Sequence, residues 1–308
     1  MNSTKPDTRK QPSPFDPDNE SAYQQWRDQK LESYPEDIGD LVVEIDDPRN
    51  LTQTEFDALL QRCRKTNMAL YAGKTGTDPH PDIPLAMAQQ FGLQALNKNW
   101  LADDNGLTSL TVRDDGVRKH YIPYTNLAIN WHTDGYYNIA NQQILALNLH
   151  VVQRAARGGE NALLDHEIAY ILLREKNPDY IRILMAPETL TIPARIENGN
   201  VARREEPGPV FSIRSDGNLH MRYTIRVNNV IWADDPLTTE ALGYLKEILE
   251  GDSKYIYRGL LQPGMGLISN NVLHDRAAFN DNDEHKRHYY RARYFERLAG
   301  TGVFEQNQ

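Results

Sequence analysis

From residue 107 to near its C-terminal end the chain is a succession of short strand-like runs, and this limits the fold more than any other feature. LTSLTVR, AINWHTD and ILALNLHVV come first, followed by VFSIR, LHMRYTIRV, KYIYR, GLIS and RHYYRARYFER. β-Branched and aromatic residues dominate these runs, and turn-forming segments such as Gly158–Gly159 and Pro263–Gly264 separate them. LVVEI (41–45) and MALYA (68–72) add two earlier strands. Helical patterns are fewer. A short polar helix is expected from about Ser21 to Leu31. Another is opened by a capping box of Thr52 and Glu55, with Phe56, Leu59, Leu60 and Cys63 on one stripe. Further helices are expected over Pro84–Phe91, over His166–Met185 with a restart at Asn177–Pro178, and over Thr239–Leu249. Many strands, few helices and no internal repeat predict a mainly β, α+β fold: a sandwich or barrel with helices packed outside. Residues 21–308 read as one domain, and the polar, Pro-rich residues 1–20 as a disordered tail.

Charge narrows the partners. The 308 residues carry a net charge of −9, and phosphate-backbone binding needs a concentrated basic face, so no nucleic-acid partner is expected. An anionic small molecule would have to be held by local Arg or Lys acting against the overall field. The single cysteine, Cys63, rules out an internal disulfide and a cysteine-rich zinc module, and its place on a helical stripe makes it a core residue. No segment is apolar enough to cross a membrane, and the first residues lack the apolar core of a secretory signal. A cytoplasmic protein acting on a small molecule is expected, with a homo-oligomer left open.

The chemistry centres on His132-Thr133-Asp134. In a strand, residues i and i+2 project from one face, so the imidazole and the carboxylate can meet one ion. A second His would complete a 2-His-1-carboxylate face with open positions, the arrangement of non-haem Fe(II) oxygenases. His274, just beyond GLIS, is the preferred third ligand, and His220 in LHMRYTIRV is its rival. His150 and His166 read as structural, while His80 and His120 fall in polar loops. In KRHYYRARYFER, Arg287, Tyr289, Arg291 and Arg293 share one face, and His288, Tyr290, Ala292 and Tyr294 share the other. A solvated basic edge strand would look the same. However, the planar guanidinium fork suits a carboxylate, and a metal-poised His274 just upstream favours an anion pocket.

With these residues in view, the chain resembles the taurine dioxygenase and γ-butyrobetaine hydroxylase superfamily over roughly residues 40–298. NWHTDGYY is similar to the first metal motif, including Trp131 of the taurine branch. GGENALLD (158–165) is similar to a Gly-Gly-Asp-Ser/Thr segment, and LHDRAAF followed by KRHYY to the distal-His and cosubstrate-Arg region. The resemblance implies a double-stranded β-helix, or jelly-roll core, with Fe(II), 2-oxoglutarate and O2 as cofactors. It implies hydroxylation of a substrate C–H bond with release of succinate and CO2. Arg287 matches the arginine that clasps the far carboxylate of 2-oxoglutarate. Asn161 stands where the family has a hydroxyl that assists it. Residues 73–82 and 195–210 are the candidate lids that would exclude water.

For the substrate, the resemblance implies several contacts. Tyr124 matches an aromatic that helps cage a quaternary ammonium, and Asn228 and Asn229 match a pair near a substrate carboxylate. Tyr136 joins them as an aromatic beside the metal motif. Arg293 occupies another cage position, where its charge would repel a trimethylammonium group. Arg291 matches an arginine that contacts a sulfonate, or it serves the cosubstrate instead. A small carboxylate- or sulfonate-bearing metabolite, zwitterions included, is therefore expected over a betaine. A cupin-like binding protein without turnover is the alternative from another class.

Overall fold

The computed structural model describes residues 13–98, 103, 105–114, 116–197, 200–226 and 230–305. Ten strands build the two sheets that carry the site: β1 (Val42–Glu44), β2 (Met68–Ala72), β3 (Thr108–Leu110), β4 (Ile129–His132), β5 (Ala146–Gln153), β6 (Asn161–Leu164), β7 (Tyr257–Gly259), β8 (Met265–Ser269), β9 (Leu273–Arg276) and β10 (His288–Tyr294). The larger sheet runs β1-β2-β8-β5-β10-β3 and the smaller β7-β6-β9-β4. Only β1 and β2 pair in parallel within these sheets. Six helices accompany them among the described residues: α1 (Glu20–Leu31), α2 (Gln53–Thr66), α3 (Asp82–Gln90), α4 (His166–Lys176), α5 (Pro178–Leu184) and α6 (Pro236–Glu250). The architecture is sheet-dominated with helices outside, as the strand pattern predicts, and is the double-stranded β-helix that the resemblance implies.

The period-two alternation of the strands divides the core in two. On β5, Leu147, Leu149 and Val151 point between the sheets and pack with Leu163, Leu164 and Leu273 of the smaller one. The intervening face of the larger sheet packs under α2 and α3, where Ala69, Tyr71, Ile268, Tyr290 and Tyr294 meet Leu59, Cys63 and Met87. The same rule splits β10: Tyr290, Ala292 and Tyr294 belong to the helix-covered layer. Its arginine-bearing face looks inward between the sheets.

Local signals act where expected. The Thr52 hydroxyl accepts from the Glu55 N–H and the Glu55 carboxylate accepts from the Thr52 N–H, closing the capping box at α2. Asn177 caps α5, with Pro178 at its first position. Two expectations need correction. Packing starts before Ser21: Phe15 is fully buried, 4.7 Å from the Trp26 ring and 5.6 Å from Tyr170, and its carbonyl accepts from the Tyr170 hydroxyl at 3.0 Å. One aromatic in a polar stretch suffices to tie it down; residues 1–12 lie outside the described set. Among the described residues of LHMRYTIRV, Leu219–Met221 is the strand. The chain then crosses to β4, where Thr133 and Tyr223 exchange backbone and hydroxyl hydrogen bonds and His132 bridges Thr224.

Candidate metal centre

β4 and β9 are antiparallel neighbours, and their register sets His274 opposite His132. The imidazole centroids are 4.3 Å apart. Asp134 follows His132 by two residues, and its Oδ1 lies 3.9 Å from His132 Nε2. One ligand atom from each of His132, Asp134 and His274 falls within 4.8 Å of the others, and no other such group of three occurs among the described residues. His220 is elsewhere, lining a small internal cavity with His166 and Arg297.

Three features fit this trio to a divalent cation. His132 Nδ1 lies 2.9 Å from the Asn130 carbonyl, and His274 Nδ1 lies 2.9 Å from the Val272 carbonyl. A carbonyl can only accept, so each Nδ1 carries the proton and each Nε2 keeps its lone pair for a metal. Asp134 Oδ2 is buried with no partner among the described residues, a costly state that a cation would relieve. Lastly, burial and the adjacent His274 push His132 down to about 3, so its imidazole is neutral as a ligand must be. Burial would raise Asp134, but Arg291 and then Arg293 prevail and hold it below the ordinary carboxylate range. Two imidazoles and one carboxylate with open positions suit Fe(II).

The backbone around Asp134 is held by a residue that the sequence reading passed over. Asn271, at φ +53°, accepts from the Asp134 N–H at 2.8 Å and donates to the Asp134 carbonyl at 2.9 Å and the Ile144 carbonyl at 2.8 Å. Gly135 follows at φ +69°, where a Cβ would lie 2.4 Å from Ile144 Cγ1. The Asn-Asn pair before LHDR was the available signal: asparagine tolerates the left-handed region and bonds backbone at both ends of its amide.

His132 and Asp134 line a cavity of about 540 Å³. Tyr124, Tyr136, Arg291 and Arg293 all line it. Arg291 Nη1 donates to Asp134 Oδ1 at 3.1 Å. Arg293 donates to the Tyr137 hydroxyl and to Asn97 Oδ1, both at 2.8 Å. Arg287 is off this wall. It is 4% exposed and stacked 3.7 Å from the Tyr289 ring, with no carboxylate paired to it among the described residues and a buried Nε lacking a partner. Its burial lowers its pKa from the ordinary arginine value. Arg276, not singled out in sequence, is similar. Its Nε and Nη1 are buried without partners, and burial followed by Arg287 pushes it down to about 9. Adjacent guanidiniums so short of anions make a receptive place for one.

Other expected residues fall elsewhere. Trp131, one step from His132 on β4, faces the opposite side and lines an open groove with Lys246 and Asp275, as period-two alternation requires. Asn161 donates to the Asp275 carbonyl at 2.8 Å, so one of its two N–H donors is spent on strand β9, and it does not line the cavity. Asn228 and Asn229 lie outside the described residues. Of the lid candidates, 195–210 contributes Arg195 and Arg203 to the wall, on a hairpin of Arg195–Glu197 and Asn200–Arg203. No residue of 73–82 reaches the cavity; the Pro79 carbonyl instead accepts from Tyr290, on the helix-covered face. His120 and Tyr121, in a segment read as loop, form part of the wall.

Comparisons with known proteins place the chain in a family. The family model described as taurine catabolism dioxygenase TauD, TfdA family matches residues 30–293. A uridine-5'-phosphate dioxygenase from an Amycolatopsis species is 30% identical over 191 residues, which is 60% of this chain and 67% of that protein. Among solved structures, an asparagine oxygenase in complex with Fe(II), 2S,3S-3-hydroxyasparagine and succinate superposes with a TM-score of 0.54 at 14% identity, covering 79% of this chain and 81% of that one. The non-haem iron oxygenase OrfP, in complex with Fe and α-ketoglutaric acid, gives 0.57 at 16% identity over 88% and 89% of the two chains. These two likenesses show the fold. The chain belongs to the TauD/TfdA dioxygenase family, whose enzymes use Fe(II), 2-oxoglutarate and O2.

Proposed function

We propose that this dioxygenase hydroxylates a C–H bond of a small anionic metabolite, with His132, Asp134 and His274 holding Fe(II) and Arg287 clasping the far carboxylate of 2-oxoglutarate. One observation carries the substrate class: five arginines (Arg195, Arg203, Arg226, Arg291 and Arg293) line the cavity against a single carboxylate, Asp134, in a protein of net charge −9. Bound Fe(II) and 2-oxoglutarate supply the oxidising chemistry, with succinate and CO2 as coproducts. The protein's own residues do the rest. Arg291 holds Asp134 ionised, and the two Nδ1–H···O=C bonds fix the imidazoles for coordination. The tyrosine-lined walls limit the access of water to the reacting centre.

A carboxylate or sulfonate is the anion that the match at Arg291 supports. The relative that acts on uridine-5'-phosphate extends the class to phosphate esters. A quaternary ammonium substrate is disfavoured by the same charge count, because Arg293 and its neighbours repel a fixed cation. A substrate screen tests the reading: amino acids, betaines, sulfonates, short carboxylates and phosphate esters are incubated with the Fe(II)-loaded enzyme and 2-oxoglutarate, and succinate is measured. Stimulation by an anion supports it, and stimulation by betaines alone contradicts it.

A further inference from the structure

Away from the substrate cavity, four side chains from separate segments line a second, much smaller one: His166, Arg214, His220 and Arg297. His166 opens α4, Arg214 follows the strand Phe211–Ile213, His220 lies on its partner strand Leu219–Met221, and Arg297 follows β10. Each brings buried nitrogen with no hydrogen-bond partner among the described residues: His166 Nδ1 and Nε2, Arg214 Nε, His220 Nδ1 and Arg297 Nε. His166 and His220 are themselves only 2% and 8% exposed. The nearby charges do not meet this need. His166 Nδ1 is 3.9 Å from Asp165 Oδ1 and Arg214 Nε is 4.0 Å from Asp216 Oδ2, both too long for a hydrogen bond. Arg297 turns its Nη2 instead to Asn67 Oδ1. Asn270 and Asn271 complete the wall, but their amides are spent on Asn67, Thr301, Leu298, Asp134 and Ile144.

The chemistry of the four side chains selects the occupant. A guanidinium Nε–H can only donate. Burial lowers His166 and pushes His220 down to about 3, so both imidazoles are neutral, with one donor and one acceptor each. His220 is hydrogen-bonded to the Ile144 carbonyl. Because its Nδ1 is the unpartnered nitrogen, Nε2 carries the proton and Nδ1 presents a lone pair. A halide could accept from the arginines but has no hydrogen for His220 Nδ1. A metal cation would meet two fixed positive charges. Water accepts two hydrogen bonds and donates two. The cavity volume of about 10 Å³ has room for one such molecule, which needs roughly 10–15 Å³.

We infer that this cavity is a binding site for a single water, which accepts from Arg214 Nε and Arg297 Nε and donates to His220 Nδ1 and to the bare nitrogen of His166. His220, the rival metal ligand of the sequence, thereby becomes a positioning residue for the metal centre. Its Nε2–H reaches the Ile144 carbonyl, the same oxygen that takes a hydrogen bond from Asn271 Nδ2 at 2.8 Å. Asn271 in turn holds the backbone of Asp134. The water fixes the imidazole, the imidazole fixes Ile144, and Ile144 steadies the clamp on the metal-binding carboxylate.

High-resolution diffraction from crystals of the full-length protein grown in sodium bromide tests the site, paired with anaerobic Fe(II) titration in solution. One peak is expected among the four side chains, without bromine anomalous signal. His220→Leu should remove that peak and weaken Fe(II) binding about ten-fold, within the range for residues behind metal ligands. His220→Gln, which keeps one donor and one acceptor, should retain both peak and affinity, a rescue that mere filling of space would not give. An empty cavity or a bromide peak in the parent protein overturns the inference. So does Fe(II) affinity that is unchanged in His220→Leu or equally weakened in His220→Gln. Failure of the metal-centre reading would look different: the water peak would stand while the parent protein bound no Fe(II).

Discussion

The carboxamide of Asn271 grips both polar backbone atoms of Asp134, accepting from its N–H at 2.8 Å and donating to its carbonyl at 2.9 Å. Because Asn271 lies just ahead of β9, which bears His274, one side chain ties together the two chain segments that supply the trio. Replacing it with glycine keeps the left-handed backbone and deletes the clamp. Asn271→Gly is expected to lower Fe(II) affinity about 10–100-fold, the scale typical of residues that orient metal ligands, with near-normal circular dichroism. Unchanged affinity in a metal titration would make Asn271 merely a turn residue.

Arg287 is buried without a carboxylate partner among the described residues. If it receives the far carboxylate of 2-oxoglutarate, removing it deletes a charge-assisted hydrogen bond worth about 2 kcal/mol. Arg287→Ala should then raise the apparent KM for 2-oxoglutarate about thirty-fold. An unchanged KM with lowered Tm would shift the role to Arg276 or Arg291.

Much of the centre could be read in the sequence because it rests on period-two geometry. His132 and Asp134 share a face of one segment, and Arg291 and Arg293 share a face of another, whatever the tertiary detail. The same rule, applied one residue further, shows why Trp131 turns away. What could not be read depends on contacts distant in sequence. The choice of His274 over His220 is made by strand register, and the distance of Arg287 from the open cavity by the packing of Phe279 and Tyr289 around it. Arg203 falls in the broken polar segment 195–210 and Arg226 in the strand-like run LHMRYTIRV, and neither run singles them out. Only the fold brings them to one cavity.

Behind α4 the structure buries ions. Lys30 Nζ lies 2.7 Å from Asp165 Oδ2 and 2.5 Å from Glu167 Oε2, with all three side chains at most 2% exposed. Lys30→Met would leave two carboxylates without their shared cation, a loss on the order of 3–5 kcal/mol. Urea denaturation is the check, and a midpoint within error of the parent would mean that water or Arg297 takes over the charge.

Burial holds His150 down to about 4 and His220 down to about 3, whereas an unfolded chain protonates histidine near 6.5. Below pH ~6.5 the unfolded state therefore binds more protons, and stability falls as pH drops toward about 4. Each site contributes at most about 1.4 kcal/mol per pH unit. Urea midpoints of the metal-free protein should decline between pH 6.5 and 5, and His150→Gln should flatten that decline. An equal slope in the variant would remove His150 from the explanation.

The central claim is that His132, Asp134 and His274 hold one ferrous ion that 2-oxoglutarate then chelates. Anaerobic titration of the protein with Fe(II) in the presence of 2-oxoglutarate, followed by visible absorption, addresses it most directly. One equivalent of iron should produce a metal-to-ligand charge-transfer band that is absent from His132→Ala and His274→Ala. No band in the parent protein, or an undiminished band in His274→Ala, would contradict the account.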